Sequence, residues 1–599
     1  MKASDQVSRR FVLRHRYIHF PVTNGAAKTM VSLSLGSGDA AETVMQFQVE
    51  LAAGQPDFWT YADVSRWVGN ELTITLEAPE SEPEPGVSRT ADTAVIDRII
   101  ESDYVPDEAG LYKEKYRPQL HFSSRRGWLN DPNGLVYFNN EYHLFYQHNP
   151  FGRAWDNIGW GHATSPDLLH WKELPGAMYP QRYGDFYFSG SACMDWTNSS
   201  GLQSGDEPVM AAFYTSTGRG QCLAYSDDKG RTWQQYAANP VLVHGKLFDK
   251  HNYSAHIPLW HESRDPKVFY YEPGGHWVMV VYEQHVDEKV SGDDCLFAIY
   301  TSSNMIDWEK QSELAGWYEC PELFELAVDG DPGHKKWVLY GVDGRYALGS
   351  FDGKTFVPET RGGEAFDPYL SFRPYLDGLS FKYMAQYGNM MLAAQTFNDI
   401  PESDGRRLQI GWLRSATPAG MPFNQAMSLA CELTLRRTDD GIRLFTWPVR
   451  ELERLRGDKL EWSGVNVEEG EVTLPGTNAE LLDIVAEFTA SGGEAGLVVH
   501  GVKVLYSWTR QKLVCTLPSG SEIAAPLRPL NGAVKLRMIA DRTSLEIFAN
   551  DGRVYIPAAV LLSDEEKRVA WIGKGGSATL QRLDVYPLQS IWRHQADGG

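Results

Sequence analysis

Four turns built to one plan constrain this 599-residue chain more than any other feature of its sequence. SPDLLHW (165–171), SDDKGRTW (226–233), SSNMIDW (302–308) and SFDGKTF (350–356) each begin with Ser after an alternating strand pattern, pass through Asp, Asn or Gly, and close on a large aromatic. The closing aromatics Trp171, Trp233, Trp308 and Phe356 stand 62, 75 and 48 residues apart. A turn recurring at irregular but blade-sized intervals points to a β-propeller, each blade a four-stranded meander about a central axis. In that architecture, side chains remote in sequence meet where the innermost strands begin.

The rest of the pattern agrees. Runs such as LVYFNNEYHLFYQ (135–147) and HWVMVVYEQ (276–284) are rich in Val, Tyr and Phe and bounded by turn formers, whereas long 3.6-residue periods are scarce. The fold class is therefore all-β. Lys and Arg number 56 against 78 Asp and Glu, a formal charge of −22, which repels polyanions and makes nucleic acid an unsuitable partner. No apolar run reaches the length of a membrane span, so no membrane partner is expected. The six cysteines are scattered without a CxxC pair, which suits a reducing compartment and argues against a zinc site. The first twenty residues are basic but lack the apolar stretch of a secretory signal. A cytoplasmic protein is the expectation, or a secreted one whose signal has been removed.

Two breaks divide the chain. APESEPEPG (78–86) combines three prolines with three glutamates and reads as an extended, self-repelling linker after a small leading β unit. The charge-rich, helix-compatible stretch 451–470 precedes a further series of short strands. The expected domains are 1–85 (β unit and linker), 110–450 (propeller) and 455–592. In the leading unit Trp59, Tyr61 and Trp67 suit core packing better than a sugar platform.

Three carboxylates have settings that chemistry can use. Asp131 lies in GWLNDPNG (127–134), Asp265 in RDPKVF (264–269), and Glu319 in WYECPELF (317–324), each beside aromatics or proline that desolvate an acid. Glycoside hydrolysis needs such a set, one carboxylate ionised and one carboxyl protonated, with aromatic walls for the sugar rings. Pattern alone leaves Glu319 and Glu322 open as the third member.

WLNDPNG (128–134), RDP (264–266) and ECP (319–321) resemble, in order and spacing, the three signature motifs of glycoside hydrolase family 32, the invertases, inulinases, levanases and related β-fructofuranosidases. FYQHNP (145–150), WGHA (160–163), FSGS (188–191) and the 405–412 stretch ending in Trp412 support the likeness, which covers about 115 to 590. The resemblance implies a five-bladed propeller followed by a C-terminal β-sandwich. It implies Asp131 as nucleophile, Glu319 rather than Glu322 as general acid/base, and Asp265 as transition-state stabiliser. Asn130, Gln147, Trp155, Phe188, Ser189, Arg264 and Trp412 would line the fructose pocket. No metal or organic cofactor is implied, and the partner is a fructan or fructo-oligosaccharide.

The leading expectation is a retaining enzyme that releases β-D-fructofuranosyl units from levan- or inulin-type fructans. Transfer or endo-action by the same family is the alternative. A sialidase fits less well, since no three-arginine pattern is evident, and a non-catalytic propeller has no use for all three acids. The leading unit, with Ile400-Pro401 and MPFNQ (421–425), points to the bacterial levanase subgroup. One departure from the family is the 242–263 stretch, with His244, His251, His256 and His261 at spacings that fit no zinc motif. It reads as a loop walling the leaving-group side. Deleting 245–260 is expected to change the preference among sucrose, inulin and levan; chromatographed products showing an unchanged preference would dispose of that role.

Overall fold

The computed structural model describes residues 6–36, 41–77, 93–105, 108–243, 263–284, 295–359, 383–388, 390–415, 417–418, 420–563 and 566–592. The proposed linker 78–86 and all four histidines of the 242–263 stretch lie outside the described residues. The fold is a β-propeller with a C-terminal β-sandwich, preceded by a smaller β unit. In the propeller, successive antiparallel meanders start at Gly127–Phe138, Tyr187–Asp195, Arg264–Tyr271 and Glu322–Val328. A further run pairs Met391–Thr396, Arg407–Leu413, Cys431–Thr438 and Gly441–Pro448. It joins the preceding meander through one parallel bridge, Val328 to Leu435. The ring is closed where Phe423–Asn424 pairs in parallel with Gly127 and Trp128.

The repeated turns connect the third to the fourth strand of their meanders and explain their own sequence. Ser165, Ser226 and Ser302 donate through Oγ to Asp167, Asp228 and Asn304 at 3.2, 2.8 and 3.1 Å. The oxygen so held accepts two backbone N–H groups further along each turn. Each Trp indole then donates to the carbonyl three residues earlier, at 3.2, 3.2 and 3.0 Å. Leu168, Lys229, Met305 and Gly353 all adopt left-handed φ, between 63° and 93°. The aromatic is therefore a lid, buried at Trp171 and Phe356 and half-buried at Trp233 and Trp308, on a turn whose polar groups the Asp or Asn has satisfied.

The inner strands are knitted around the axis by side chains bonding to neighbouring backbones. Ser191 Oγ donates to Pro266 O (2.8 Å) and accepts from Val268 N (2.8 Å). Gln395 bonds Leu135 N and Gly190 O, both at 3.0 Å, and Asn398 Nδ2 donates to Ala192 O and Val268 O. Burying such amides is affordable only because each finds a partner.

The leading unit has a four-stranded sheet (Gln6–Val12, Glu71–Glu77, Lys28–Leu35, Glu42–Glu50) and a three-stranded one (Phe58–Asp63, Tyr17–Val22, Ile100–Ser102). Chain beyond the expected linker thus returns to it. Ile100–Ser102 pairs with Tyr17–Val22, and Val95, Ile96 and Ile99 join its core. Trp67 is buried in the same core, whereas Trp59 and Tyr61 are half-buried and Tyr61 packs edge-on against Tyr17 at 5.0 Å. After a short 3₁₀ turn at Arg450–Leu455, six- and seven-stranded sheets enclose the apolar sandwich core.

Sandwich and propeller share a buried polar latch. His121 Nδ1 lies 2.7 Å from Asp541 and Nε2 lies 2.9 Å from Glu546, all three side chains almost wholly buried. Asp541 also accepts Gln119 N and Leu120 N, and Glu546 accepts Leu429 N and the Tyr555 hydroxyl. Burial alone would lower the His121 pKa, but the two carboxylates raise it to about 9. Burial pushes Asp541 up, yet the bonds from His121 and the backbone leave it below the usual value. The His121 contribution to stability is therefore complete below the unfolded imidazole pKa of about 6.5 and lost as pH rises through about 9. Denaturant unfolding at pH 7 and pH 10 is expected to show that loss. His121→Ala should abolish this pH dependence and cost about 3–5 kcal/mol at pH 7, because it strands two buried carboxylates.

Candidate active site

Functional side chains gather at the axis because the inner strands are bulged where they carry them. The pairing register slips between Leu129 and Pro132, freeing Asn130 and Asp131, and between Phe188 and Gly190, freeing Ser189. It slips again between Arg264 and Lys267, freeing Asp265, and between Leu392 and Gln395. A bulge turns a side chain out of the ladder's alternation. Gly190 permits the second one, since a Cβ there would lie 1.9 Å from Phe213 O. Asp265 (φ 63°), Glu319 (φ 42°) and Cys320 (φ 47°) hold left-handed backbone that non-glycine residues seldom adopt.

These distortions bring the three carboxylates together. Asp131 Oδ2 accepts from Ser189 Oγ at 2.6 Å, and Oδ1 accepts from Asn130 Nδ2 at 3.2 Å. The Asn130 amide is oriented in turn by the Trp128 indole N–H (2.9 Å). Asp265 Oδ2 accepts from Cys320 N at 3.0 Å, and the Cys320 thiol lies 3.5 Å from Asp265 and 3.8 Å from Asp131. Arg264 pairs with Glu319 Oε1, lies 3.9 Å from Asp265 Oδ2, and is covered by the Tyr282 ring at 4.8 Å. A small cavity of about 10 Å³, lined by Pro132, Ser189, Asp265, Cys320, Glu322 and Ala394 among others, adjoins the cluster.

Glu322 is placed quite differently from Glu319. It is fully buried, with Lys267 Nζ 2.9 Å from Oε1 and the Thr396 hydroxyl donating to Oε2 at 2.5 Å. Glu319 keeps 26% of its side-chain surface accessible. Of the two, only Glu319 can exchange a proton with something arriving from solvent. The acids also differ in electrostatics. Burial raises the Asp131 pKa, the Ser189 hydroxyl opposes the rise, and the Glu319 charge adds to it. Burial pushes Asp265 up to about 7, with Arg264 pulling down and the Glu319 and Asp131 charges pushing further up.

The remaining sequence candidates line the approach. Gln147 is buried and donates to Tyr187 O at 3.0 Å. With its amide oriented to suit its neighbours, Asn133 accepts from Gln147 N and Nε2 and donates to Ser189 Oγ at 3.3 Å. Gln147 thus reaches Asp131 through Asn133 and Ser189. Trp155 packs edge-on against Phe186 and Phe188, and Trp412 against Trp128 at 6.0 Å. The structure therefore gathers Asn130, Asp131, Ser189, Arg264, Asp265 and Glu319 directly, with Phe188, Trp155 and Trp412 at the rim. Sequence reasoning passed over Asn133, although it lies in the quoted 127–134 motif, and over Lys267 and Thr215. Lys267 is a charged residue directly before the run VFYY (268–271); Thr215, whose Oγ1 accepts from Asp265 N at 3.1 Å, carries no sequence signal.

Desolvated carboxylates under an aromatic rim, at the mouth of a propeller with a trailing sandwich, define a glycosidase type of site. The profile described as "Glycosyl hydrolases family 32 N-terminal domain" matches residues 121–448, and "Glycosyl hydrolases family 32 C terminal" matches 451–587. The chain belongs to glycoside hydrolase family 32. It is 37% identical over 529 residues to a levanase of Bacillus subtilis, covering 81% of this chain and 72% of that one. It is 30% identical over 546 residues to an extracellular exo-inulinase of Aspergillus ficuum, covering 80% and 96%. The crystal structure of an exo-inulinase from Aspergillus awamori superposes with a TM-score of 0.67 at 27% identity, covering 80% of this chain and all of that one.

Infrared difference titration should find a carboxyl group protonating near pH 7 that is absent from Asp265→Asn. In Arg264→Met it should move to higher pH, because the cation favouring the carboxylate is gone.

Proposed function

We propose that this protein is a retaining fructan β-fructosidase, with Asp131 as nucleophile, Glu319 as general acid/base and Asp265 as the carboxylate that binds the reacting sugar. The carrying observation is the contrast within one cluster: Asp131 is held by the Ser189 hydroxyl and the Asn130 amide, while Glu319, with 26% of its side-chain surface accessible, faces the Arg264 guanidinium. Levanase and exo-inulinase as relatives support fructan as the substrate class.

In the first displacement, an Asp131 oxygen attacks C2 of a terminal β-D-fructofuranosyl unit. The C2–O bond to the leaving group breaks with its electron pair going to oxygen, which takes the Glu319 proton. The Glu319 carboxylate so formed is received by the Arg264 guanidinium already in contact with it. In the second displacement Glu319 removes a proton from water, whose oxygen attacks C2 and releases Asp131. Fructose leaves with its configuration retained. Asp265, fixed by the Cys320 amide, accepts hydrogen bonds from ring hydroxyls as positive charge develops at C2. Trp155, Phe188 and Trp412 offer faces to the sugars.

Incubation with sucrose, inulin and levan followed by chromatography tests this reading. Free fructose as the sole product is expected; oligosaccharide products would show endo-action or transfer instead. Asp131→Asn is expected to lose about 10³-fold or more in rate on every substrate. Glu319→Gln should lose comparably on fructans but recover much of the first step on a fructoside with an acidic leaving group, which needs no proton. Equal impairment on both substrates would overturn the Glu319 assignment.

A further inference from the structure

Trp155 stands between two strands of the propeller, Glu141–Asn149 and Gly159–Ser165, on a connection that is held from outside the propeller. Phe151, on this connection, is buried in the core of the leading unit. Its ring stacks on Phe47 at 3.6 Å with 9° between planes and meets Phe20 edge-on at 6.4 Å. Just before it, Pro150 O accepts from the Thr60 hydroxyl at 2.5 Å. On the far side of Trp155, the Asn157 amide behaves as a strand neighbour of Gln48, accepting from its N and donating to its O, both at 2.8 Å. Asn157 takes left-handed backbone (φ 46°) to do so. Between Trp155 and Asn157, the buried Asp156 carboxylate is paired with Lys28 and accepts the Tyr183 hydroxyl at 2.9 Å.

That last bond leads back to the cleft. Tyr183 packs edge-on against Phe186 at 5.5 Å, Phe186 against Trp155 at 5.5 Å, and Trp155 against Phe188, the neighbour of Ser189. Trp155 keeps 39% of its surface exposed, yet both flanks of its connection are anchored on the leading unit. Arg153 ties the middle to the propeller through Thr417 O, Pro418 O and Phe423 O.

We propose that the leading β unit is a positioning brace for the sugar pocket, setting Trp155 through Phe151, Asp156 and Asn157; the inference rests on the reading of this cleft as the fructosyl site. A rim aromatic fixed before substrate arrives need not be immobilised on binding, so the brace acts on affinity more than on the chemical step.

Lys28→Met and Asn157→Gly in the full-length protein test it, with Lys28→Arg as the conservative control. Both disruptive variants are expected to raise KM for fructan about fivefold while kcat stays within about twofold. Amide hydrogen exchange in 150–158 should accelerate without loss of protection in the inner propeller strands, and Lys28→Arg should restore both readouts. Unchanged exchange in 150–158, or faster exchange with an unchanged KM, overturns the brace. So does a fall in kcat with protection lost throughout the propeller, which marks a stabilising role alone. Exchange is read without substrate, so a wild type that leaves fructans intact defeats the proposed activity, while the exchange of 150–158 still decides the brace.

Discussion

The site depends on how one strand start distributes positive charge among acids that would otherwise repel one another. Arg264 and Lys267 flank the bulged Asp265-Pro266 pair. The arginine engages Glu319 on the open side, and the lysine engages Glu322 in the buried interior. Burial raises the cost of ionising Asp131 and Asp265, and the Glu319 charge adds to it for both, while Arg264 opposes it at Asp265. Two cations thus face four carboxyl groups, and the Asp131 and Asp265 carboxyls are held above the usual carboxylate range.

Geometry supports this electrostatic balance through backbone distortion. Inner strands with strict alternation would send neighbouring side chains to opposite faces. The slips at Asn130-Asp131, Ser189 and Asp265 redirect three segments toward the axis at the same level. The left-handed residues at Glu319 and Cys320 do the same for the fourth. Bonds from Ser191, Gln395 and Asn398 to neighbouring backbones keep those distorted starts in register.

What the sequence made legible follows from range. The four Ser-to-aromatic turns are local, each closed by bonds within a few residues, so their pattern announced the propeller. The carboxylates were legible because each sits in a compact motif, and the choice of Glu319 over Glu322 needed family resemblance until Lys267 was seen to occupy the latter. Bulges leave no mark in alternation, and Thr215 and Asn133 were missed because their partners Asp265 and Ser189 are distant in sequence. Long-range partners were equally hidden. The proline-rich stretch reads as a separator, yet Ile100–Ser102 returns to the leading sheet. The contact of Lys28 with Asp156 joins residues that no local pattern relates.

The parallel pairing of Phe423–Asn424 with Gly127 and Trp128 carries a consequence for biogenesis. A polypeptide emerging from the ribosome can assemble each meander as it appears, but the annulus stays open until residues 423–435, which supply both parallel junctions of the last run, have been made. Until then the first meander has an unsealed edge. The leading sheets, although synthesised first, must likewise wait for Phe151 to complete their interior. Both late-arriving contacts are contiguous with the catalytic mouth. A translation product that ends before those contacts are made is therefore left without a closed sugar-binding rim.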